Sequence, residues 1–375
     1  MRRLCIYVTY DPENMIDDYI GYTLQEMRKT VDSLIVVCNY KCIVSGRENI
    51  QPYANKIFCR ENAGFDAGAY QDVFFRYLGW DGVCGYDEIL LVNDSFYGPL
   101  YSFEKLFRRM EEVNADYWGM TRCPEGELAD GSTYKPHIQS YFLALRKNVL
   151  INKEFQEYWE NMEYPISFMQ TVITFEIGVN KLLQQLGFVG SAVMDLCPVQ
   201  WNLKKNENPY LLYPLELIRD ADIPVLKRKS LSMSNKGFES AIKALRFIKD
   251  ECSYDVSLIE NHLRRIGEGK NVMGIEAFYA SHSRIFIYGA GFYGKNVAEY
   301  FAYKGWTFEK FLVTDMAGQP ENDISDCIAF DGADIAEDDG IIIAVGNKKG
   351  FREIVRLVKK RCRKEQIFNP EDIIW

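Results

Sequence analysis

Two stretches of the chain carry residue types at spacings that suit ligand chemistry. The first reads Asn62-Ala-Gly64-Phe-Asp66-Ala-Gly68-Ala-Tyr70 and leads, through a helix-like stretch, to Ile89-Leu-Leu-Val-Asn93-Asp94-Ser95-Phe-Tyr-Gly98-Pro99. A glycine turn opens a helix there, and an apolar strand then stops abruptly at Asn-Asp-Ser. Ligands of open α/β sheets bind beyond the C-terminal ends of strands. A carboxylate at Asp94 is therefore placed to hold a metal or a phosphorylated ligand. The same residue type also serves a local Asx-turn ahead of Gly98-Pro99. The second stretch is Gly289-Ala-Gly291-Phe-Tyr-Gly294, lying between an apolar strand at 284–288 and a helix-like run at 295–303. Its glycines permit a tight turn and close backbone approach, and the helix N-terminus offers N–H groups to a phosphate. Asp315 ends the next strand, where an acid can bind ribose hydroxyls. Gly346 and Asn347 follow a third strand. Together these six residues form a candidate second nucleotide site; the plainer use of its glycines is helix–strand packing.

The elements that must position these residues alternate. Short apolar runs at 4–9, 33–38, 56–59 and 88–92 read as strands, with helical spacing at 16–30 and 65–78. Further strands follow at 116–120 and 140–146, then a helix from Phe175 to Leu186 that Gly187 is placed to stop. Alternation of this kind predicts a mostly parallel sheet with right-handed crossovers. The expected fold class is α/β: a mostly parallel sheet domain over 1–215, a helical connector over 216–275, and a small Rossmann-like domain over 276–375. Tyr10 and Asp11 then follow the first strand and Asn39 the second. Asn62, Gly64 and Asp66 lie on the loop before a helix. Gly64 permits a positive φ and Gly68 close packing, while Asp66 suits either a ligand hydroxyl or the helix N-cap.

Composition narrows the classes. Apolar residues make up 47% and charged residues 26%, as in an ordinary folded protein. A net charge of −9 speaks against nucleic acid as a partner. Between Lys227 and Lys249, however, the basic residues outnumber the acidic ones, Glu239 standing alone among them until Asp250. Such a run suits an anionic membrane surface or phosphates, and equally a solvated helix face. The ten cysteines include no CxxC pair and the three histidines have no metal spacing, so neither a zinc site nor a disulfide framework is expected. Reduced thiols fit a cytoplasmic protein. No apolar run approaches the roughly 20 residues that span a bilayer, and the first apolar run is too short for a signal peptide. The expectation is a cytoplasmic protein, with 227–249 either a peripheral contact on the inner membrane face or a solvated helix face.

The segments Val8–Asp11, Arg60–Tyr70, Leu90–Pro99, Trp118–Thr121 and His137–Phe142 resemble, in order, those of the rhamnan synthesis protein F family, bacterial glycosyltransferases of the GT-A type. The segments Ile287–Lys295 and Ile343–Lys349 resemble the nucleotide-sugar-binding domain of bacterial sugar acetyltransferases. The first resemblance implies transfer of a sugar from a nucleotide-sugar donor, dTDP-rhamnose being the expected one, to a growing cell-surface polysaccharide or a lipid-linked oligosaccharide. It implies donor contacts at Tyr10, Asp11, Asn39, Asn62, Gly64, Asp66, Asn93 and Ser95, with Tyr10 placed to stack on the base. GT-A enzymes usually carry DxD at the end of the fourth strand, where this chain has Asn93-Asp94-Ser95. Asp94 can hold Mg²⁺ or Mn²⁺, because such ions bind through few carboxylates plus phosphates and water. A single carboxylate also leaves metal-independent chemistry open. An inverting transfer needs a general base, and the segment from Phe175 resembles the acidic helix start that holds it, making Glu176 the candidate. A first-turn Glu also favours the helix dipole. His137 and Gln139 are implied acceptor or diphosphate contacts. Two other functions compete: a nucleotide-sugar sensor or scaffold working through the C-terminal domain, and an NAD-linked oxidoreductase, which the half-length C-terminal domain makes less apt.

Overall fold

The computed structural model describes residues 1–128, 130–196, 207–232, 236–266, 275–316, 326–346 and 348–368. The chain divides into two compact units, Met1–Pro209 with Glu216–Lys227, and Tyr210–Leu215 with Arg228–Trp375.

The first unit is built on strands β1 (Arg3–Thr9), β2 (Ser33–Cys38), β3 (Lys56–Cys59), β4 (Glu88–Asn93), β5 (Phe96–Tyr97), β6 (Tyr117–Cys123), β7 (Gly126–Glu127), β8 (Thr133–Tyr134), β9 (His137–Ile138), β10 (Phe142–Arg146), β11 (Gly190–Asp195) and β12 (Leu226–Lys227). The main sheet has the order β11-β6-β10-β4-β1-β2-β3, with β9 paired to β6. Neighbours β1, β2, β3 and β4 run parallel, as do β6 and β11. Only β10 within that row is reversed, antiparallel to both β4 and β6. The C-terminal ends of β1, β2, β3, β4, β6 and β11 thus share one edge, and the entry to β10 lies on that same edge. Two small ladders, β5–β12 and β7–β8, lie off the main sheet.

A central parallel strand has both faces covered, so it reads as a continuous apolar run rather than an alternating one. Every residue of β1 is buried, as is β4 up to Val92. On one face, Leu4, Ile6, Val8, Ile89 and Leu91 form a core with Tyr70 and Phe74 from the next helix and with Trp159, Phe175 and Val179. On the other, Phe103 and Phe107 close on Phe142 and Trp118. At the end of the sheet away from the Asn-Asp-Ser turn, Glu88 is buried and pairs with Arg3 at 2.6 Å, while Trp118 Nε1 donates to it at 2.9 Å.

Two helices of this unit contain π-helical segments. Phe65–Asp72 continues as Val73–Tyr77, so the predicted helix is present. The second differs from expectation. It starts at Phe168, where the Ser167 hydroxyl accepts from Gln170 N–H, and runs through the π segment Val172–Ile177 into Gly178–Gln185. Glu176 is therefore in mid-helix rather than in a first turn. The i to i+5 pitch releases backbone groups locally, and Tyr158 OH donates to the Thr174 carbonyl. Gly178 makes room for this: a Cβ there would sit 2.2 Å from the Tyr158 oxygen. Gly187, at φ 80°, follows the helix end as predicted.

The second unit has an all-parallel five-stranded sheet, β15-β14-β13-β16-β17, from β13 (Ile285–Tyr288), β14 (Phe311–Val313), β15 (Cys327–Ala329), β16 (Gly340–Ile343) and β17 (Ile367–Phe368). The helices Phe238–Glu251 and Ser257–Arg265, which the sequence marks as a connector, belong to this unit. Phe238, Ala241, Ile242, Leu245 and Ile248 are buried, and the helix packs beside Phe292–Lys304. Its apolar face is thus used internally, leaving Lys243, Arg246 and Lys249 outward. Among the described residues no helix is long and apolar enough to cross a membrane.

Candidate active site

The loops that leave the shared sheet edge are tied to each other by side chains. Arg60, just past β3, bonds Asn39 Oδ1 at 2.7 Å and the Ala63 carbonyl at 2.6 Å, and pairs with buried Asp72 at 2.6 Å. Asn39, just past β2, donates to the Phe65 carbonyl at 2.9 Å. These bonds hold the glycine turn, in which Gly64 takes φ 75° and Phe65 φ 54°. A Cβ on Gly68 would meet the Ala63 carbonyl oxygen at 2.4 Å, so that position needs close packing. Gly64, not Asp66, precedes the helix as its N-cap.

The Asp66 carboxylate instead reaches the end of β4. Its Oδ2 accepts from Asn93 Nδ2 at 2.9 Å. Asn93 Oδ1 in turn accepts from the Ser95 hydroxyl at 2.6 Å and the Ser95 N–H at 3.2 Å. Asn93, rather than Asp94, thus makes the Asx-turn. Asp94 turns the other way: its Oδ2 accepts from the Thr9 hydroxyl at 2.9 Å and the Tyr10 N–H at 3.0 Å, clamping the end of β4 to the end of β1. Tyr10 is 47% exposed, so its ring stands at the edge of the site. Asp11 is buried and accepts from the Glu13 and Met15 N–H groups, shaping the loop that follows. The side-chain oxygen of Asn62 is buried with no hydrogen-bond partner among the described residues.

Across from this cluster, Glu176 is gripped by the strand entry to β10. Its Oε2 accepts from the Ser140 N–H at 2.8 Å and the Ser140 hydroxyl at 2.7 Å, and its Oε1 lies 3.3 Å from His137 Nε2. His137 is buried, with Nδ1 3.4 Å from the Lys135 carbonyl. Gln139 accepts from the Thr121 hydroxyl at 2.8 Å. Burial works to raise the Glu176 carboxyl, but the His137 contact and the Ser140 bonds outweigh it and hold Glu176 below the usual carboxylate value. Asp66 goes the other way. Burial pushes it up against the Asn93 bond, and the nearby charge of Glu176 adds to the rise. The two acids therefore have their proton affinities driven apart, an arrangement that recurs where acid and base roles are divided.

Two members of this site escaped sequence reading. Ser140 lies inside the His137–Phe142 segment, yet a lone Ser carries no chemical signal. Lys227 belongs by sequence to the basic run, but its Nζ donates to Ser95 Oγ at 2.6 Å and lies 3.8 Å from the Tyr141 ring centroid. The β5–β12 ladder, pairing Lys227 with Phe96, brings it there.

In the second unit, Gly289 takes φ 110° at the end of β13, and Gly291 precedes the helix Phe292–Lys304. A Cβ on Gly294 would strike the Gly289 carbonyl oxygen at 1.8 Å, whereas one on Gly291 would meet nothing within 4 Å. The third glycine serves packing and the second faces open space. Gly346 is covered by the Tyr293 ring. Asp315 is exposed past β14, and Asn347 lies outside the described residues.

The family model for rhamnan synthesis protein F matches residues 34–286, which include the glycine turn, the Asn-Asp-Ser turn, Glu176 and Lys227. The chain belongs to the rhamnan synthesis protein F family. An uncharacterized protein from Sinorhizobium fredii is 22% identical over 192 residues, 49% of this chain. The match covers 46% of that protein, so this chain spans under half the length of its curated relative. Among solved structures, a protein assigned as a nucleotide-diphospho-sugar transferase from Desulfovibrio desulfuricans is 13% identical with a TM-score of 0.31, over 61% of this chain and 99% of its own. A cytidylyltransferase from Leptospira borgpetersenii is 12% identical with a TM-score of 0.32, over 51% of this chain and 75% of its own.

A divalent ion at a diphosphate site takes one or two carboxylates and completes its shell with phosphate oxygens and water. Among the described residues no three His, Cys, Asp or Glu side chains group so as to hold an ion by themselves. At the Asn-Asp-Ser turn the one aspartate already gives an oxygen to two protein donors, and Asp66 is engaged by Asn93. An Mg²⁺ or Mn²⁺ ion here would have Asp94 as its carboxylate and would draw its remaining ligands from a bound diphosphate and water.

Proposed function

We propose that the first unit transfers a sugar, rhamnose from dTDP-rhamnose, to a cell-surface polysaccharide or its lipid-linked precursor, with inversion at the anomeric carbon. The reading rests on one observation: Asp66 bonded to Asn93, Asp94 clamped to β1, and Glu176 held by Ser140 all converge on one edge of the sheet, in a member of the rhamnan synthesis protein F family. The exposed ring of Tyr10 suits stacking on the base. The unpartnered oxygen of Asn62 suits a donor hydroxyl, since a buried acceptor gains a bond there that it otherwise lacks. Asp66, Asn93 and Ser95 line the place of the donor sugar. Asp94 acts by fixing the Tyr10 backbone beside it.

Glu176, ionised at neutral pH, takes the proton from an acceptor hydroxyl as that oxygen attacks the anomeric carbon. The bond from that carbon to the diphosphate oxygen breaks on the opposite face, and the nucleoside diphosphate leaves with the bonding electrons. Glu176 then returns its proton to solvent. His137 and Ser140 keep the carboxylate aimed, and Gln139 lies beside them for the acceptor. Gly289, Gly291 and Asp315 offer the second unit a nucleotide or nucleotide-sugar site of its own.

The test is a screen of nucleotide sugars, with released nucleoside diphosphate and glycosylated acceptor both measured. The expected result is turnover of dTDP-rhamnose by the wild type and its loss in Glu176→Gln. Full transfer by both Glu176→Gln and Asp94→Asn would refute the assignment.

A further inference from the structure

We propose that Lys227 supplies the positive charge that receives the departing diphosphate, so that transfer proceeds without a divalent ion. The inference rests on the donor-site reading above and deepens it. A diphosphate leaving group gathers negative charge as its bond to the sugar breaks, and the site must oppose that charge with something preorganised. The Asn-Asp-Ser turn brings one carboxylate, which without a metal repels a diphosphate. The ammonium group at the turn is that of Lys227, bonded to Ser95 Oγ at 2.6 Å.

Its placement is specific. Lys227 is partly buried, at the end of a two-residue ladder that pairs Leu226 with Tyr97 and itself with Phe96. Both partners in that ladder are fully buried on β5, directly after the Asn-Asp-Ser turn. The ammonium rests over the face of Tyr141, 3.8 Å from the ring centroid, a cation–π contact that holds it in place. Tyr141 packs on Phe96 in turn, and its carbonyl accepts from the Asn93 N–H. One rigid cluster thus sets the lysine, the turn and the entry to β10 in a fixed relation. The balance needs no further reactant: the pair of electrons from the broken C–O bond stays on the diphosphate oxygen, and Lys227 keeps its proton and stabilises that charge through space and by hydrogen bonding.

Calorimetry on the full chain tests the proposal, with dTDP and thymidine as probes, each with and without EDTA, on wild type, Lys227→Met and Lys227→Arg. The methionine keeps the apolar stem and removes the charge; the arginine restores charge with a different shape. The expected result is dTDP binding that EDTA leaves unchanged, a loss of 30-fold or more in Lys227→Met, partial recovery in Lys227→Arg, and thymidine binding equal in all three. Thermal melts show whether Lys227→Met is folded, and the thymidine arm checks the same point at the site. Equal dTDP binding by wild type and Lys227→Met would overturn the role of Lys227, as would abolition of wild-type dTDP binding by EDTA. Failure of the wild type to bind either probe would overturn the donor-site reading itself.

Discussion

Ser140→Ala isolates how Glu176 is tuned. The substitution removes the hydroxyl that donates to Glu176 Oε2 at 2.7 Å, while the Ser140 N–H at 2.8 Å and the His137 contact at 3.3 Å remain. A hydrogen bond to a charged group is worth roughly 1.5–3 kcal/mol, and about 1.4 kcal/mol corresponds to one pH unit. The Glu176 side chain is 18% exposed, so water replaces part of the lost bond and the lower end of the range applies. The base must be ionised to accept a proton, so the rate falls as pH drops through its pKa. In the wild type that acid limb lies below the usual carboxylate range, because Glu176 is held down. In Ser140→Ala the limb moves up by about one pH unit, with the plateau above neutral pH little changed. The assay is kcat/KM for nucleoside diphosphate release measured across the acid range. An unmoved limb in a variant that still turns over would refute the claim that Ser140 sets the charge of Glu176.

Three further outcomes are expected. Glu88→Ala leaves the buried Trp118 N–H without its acceptor and the Arg3 guanidinium to Glu111 and the Thr30 carbonyl; it should cost about 1.5–3 kcal/mol in a urea melt, and a loss under 1 kcal/mol would contradict the burial argument. His262 is buried, and burial first, then the charges of Arg228 and Arg265, depress its pKa to about 2. The unfolded chain therefore binds a proton near pH 6.5 that the folded one refuses, so this contribution is whole above that pH and is lost as pH falls. Wild type should lose stability relative to His262→Gln by about 1.4 kcal/mol per pH unit below roughly pH 6, and parallel curves in chemical denaturation would count against it. Because the helix Phe238–Glu251 buries its apolar face, it presents charge rather than apolar surface to a membrane, through Arg246 and Lys249. Binding to anionic vesicles should then fade between about 0.05 M and 0.5 M salt, and salt-independent binding in a flotation assay would exclude this mode.

Much of the fold is legible in the chain because it is written locally. Apolar runs such as Leu4–Thr9 and Ile89–Val92 are central strands by length and composition alone, and both are buried on each face. Gly64 declares a left-handed turn and Gly187 a helix end, since few other residues tolerate those backbones. Asp94 and Asn93 were recognisable as strand-end residues for the same reason. What the polar side chains do there was not. The Asx-turn reading of Asp94 gave way to a clamp on β1, which sequence does not show because the partner residue is 85 positions away in the chain. Asp66 suited an N-cap by position, yet it bonds Asn93 across the turn. Glu176 looked like a helix start because the exposed, apolar residues before it, Phe168, Met169 and Ile173, carry no polar face to mark a helix. The basic run is the plainest case. By spacing, Lys227 belongs with Lys229 and Lys243, but strand pairing carries it to Ser95, 132 residues upstream. Periodicity and turn chemistry depend on neighbours in sequence and so determine the elements. The electrostatics of the site depend on neighbours in space, and only the tertiary pairing of β4 with β1 and β10, and of β5 with β12, decided which charges meet.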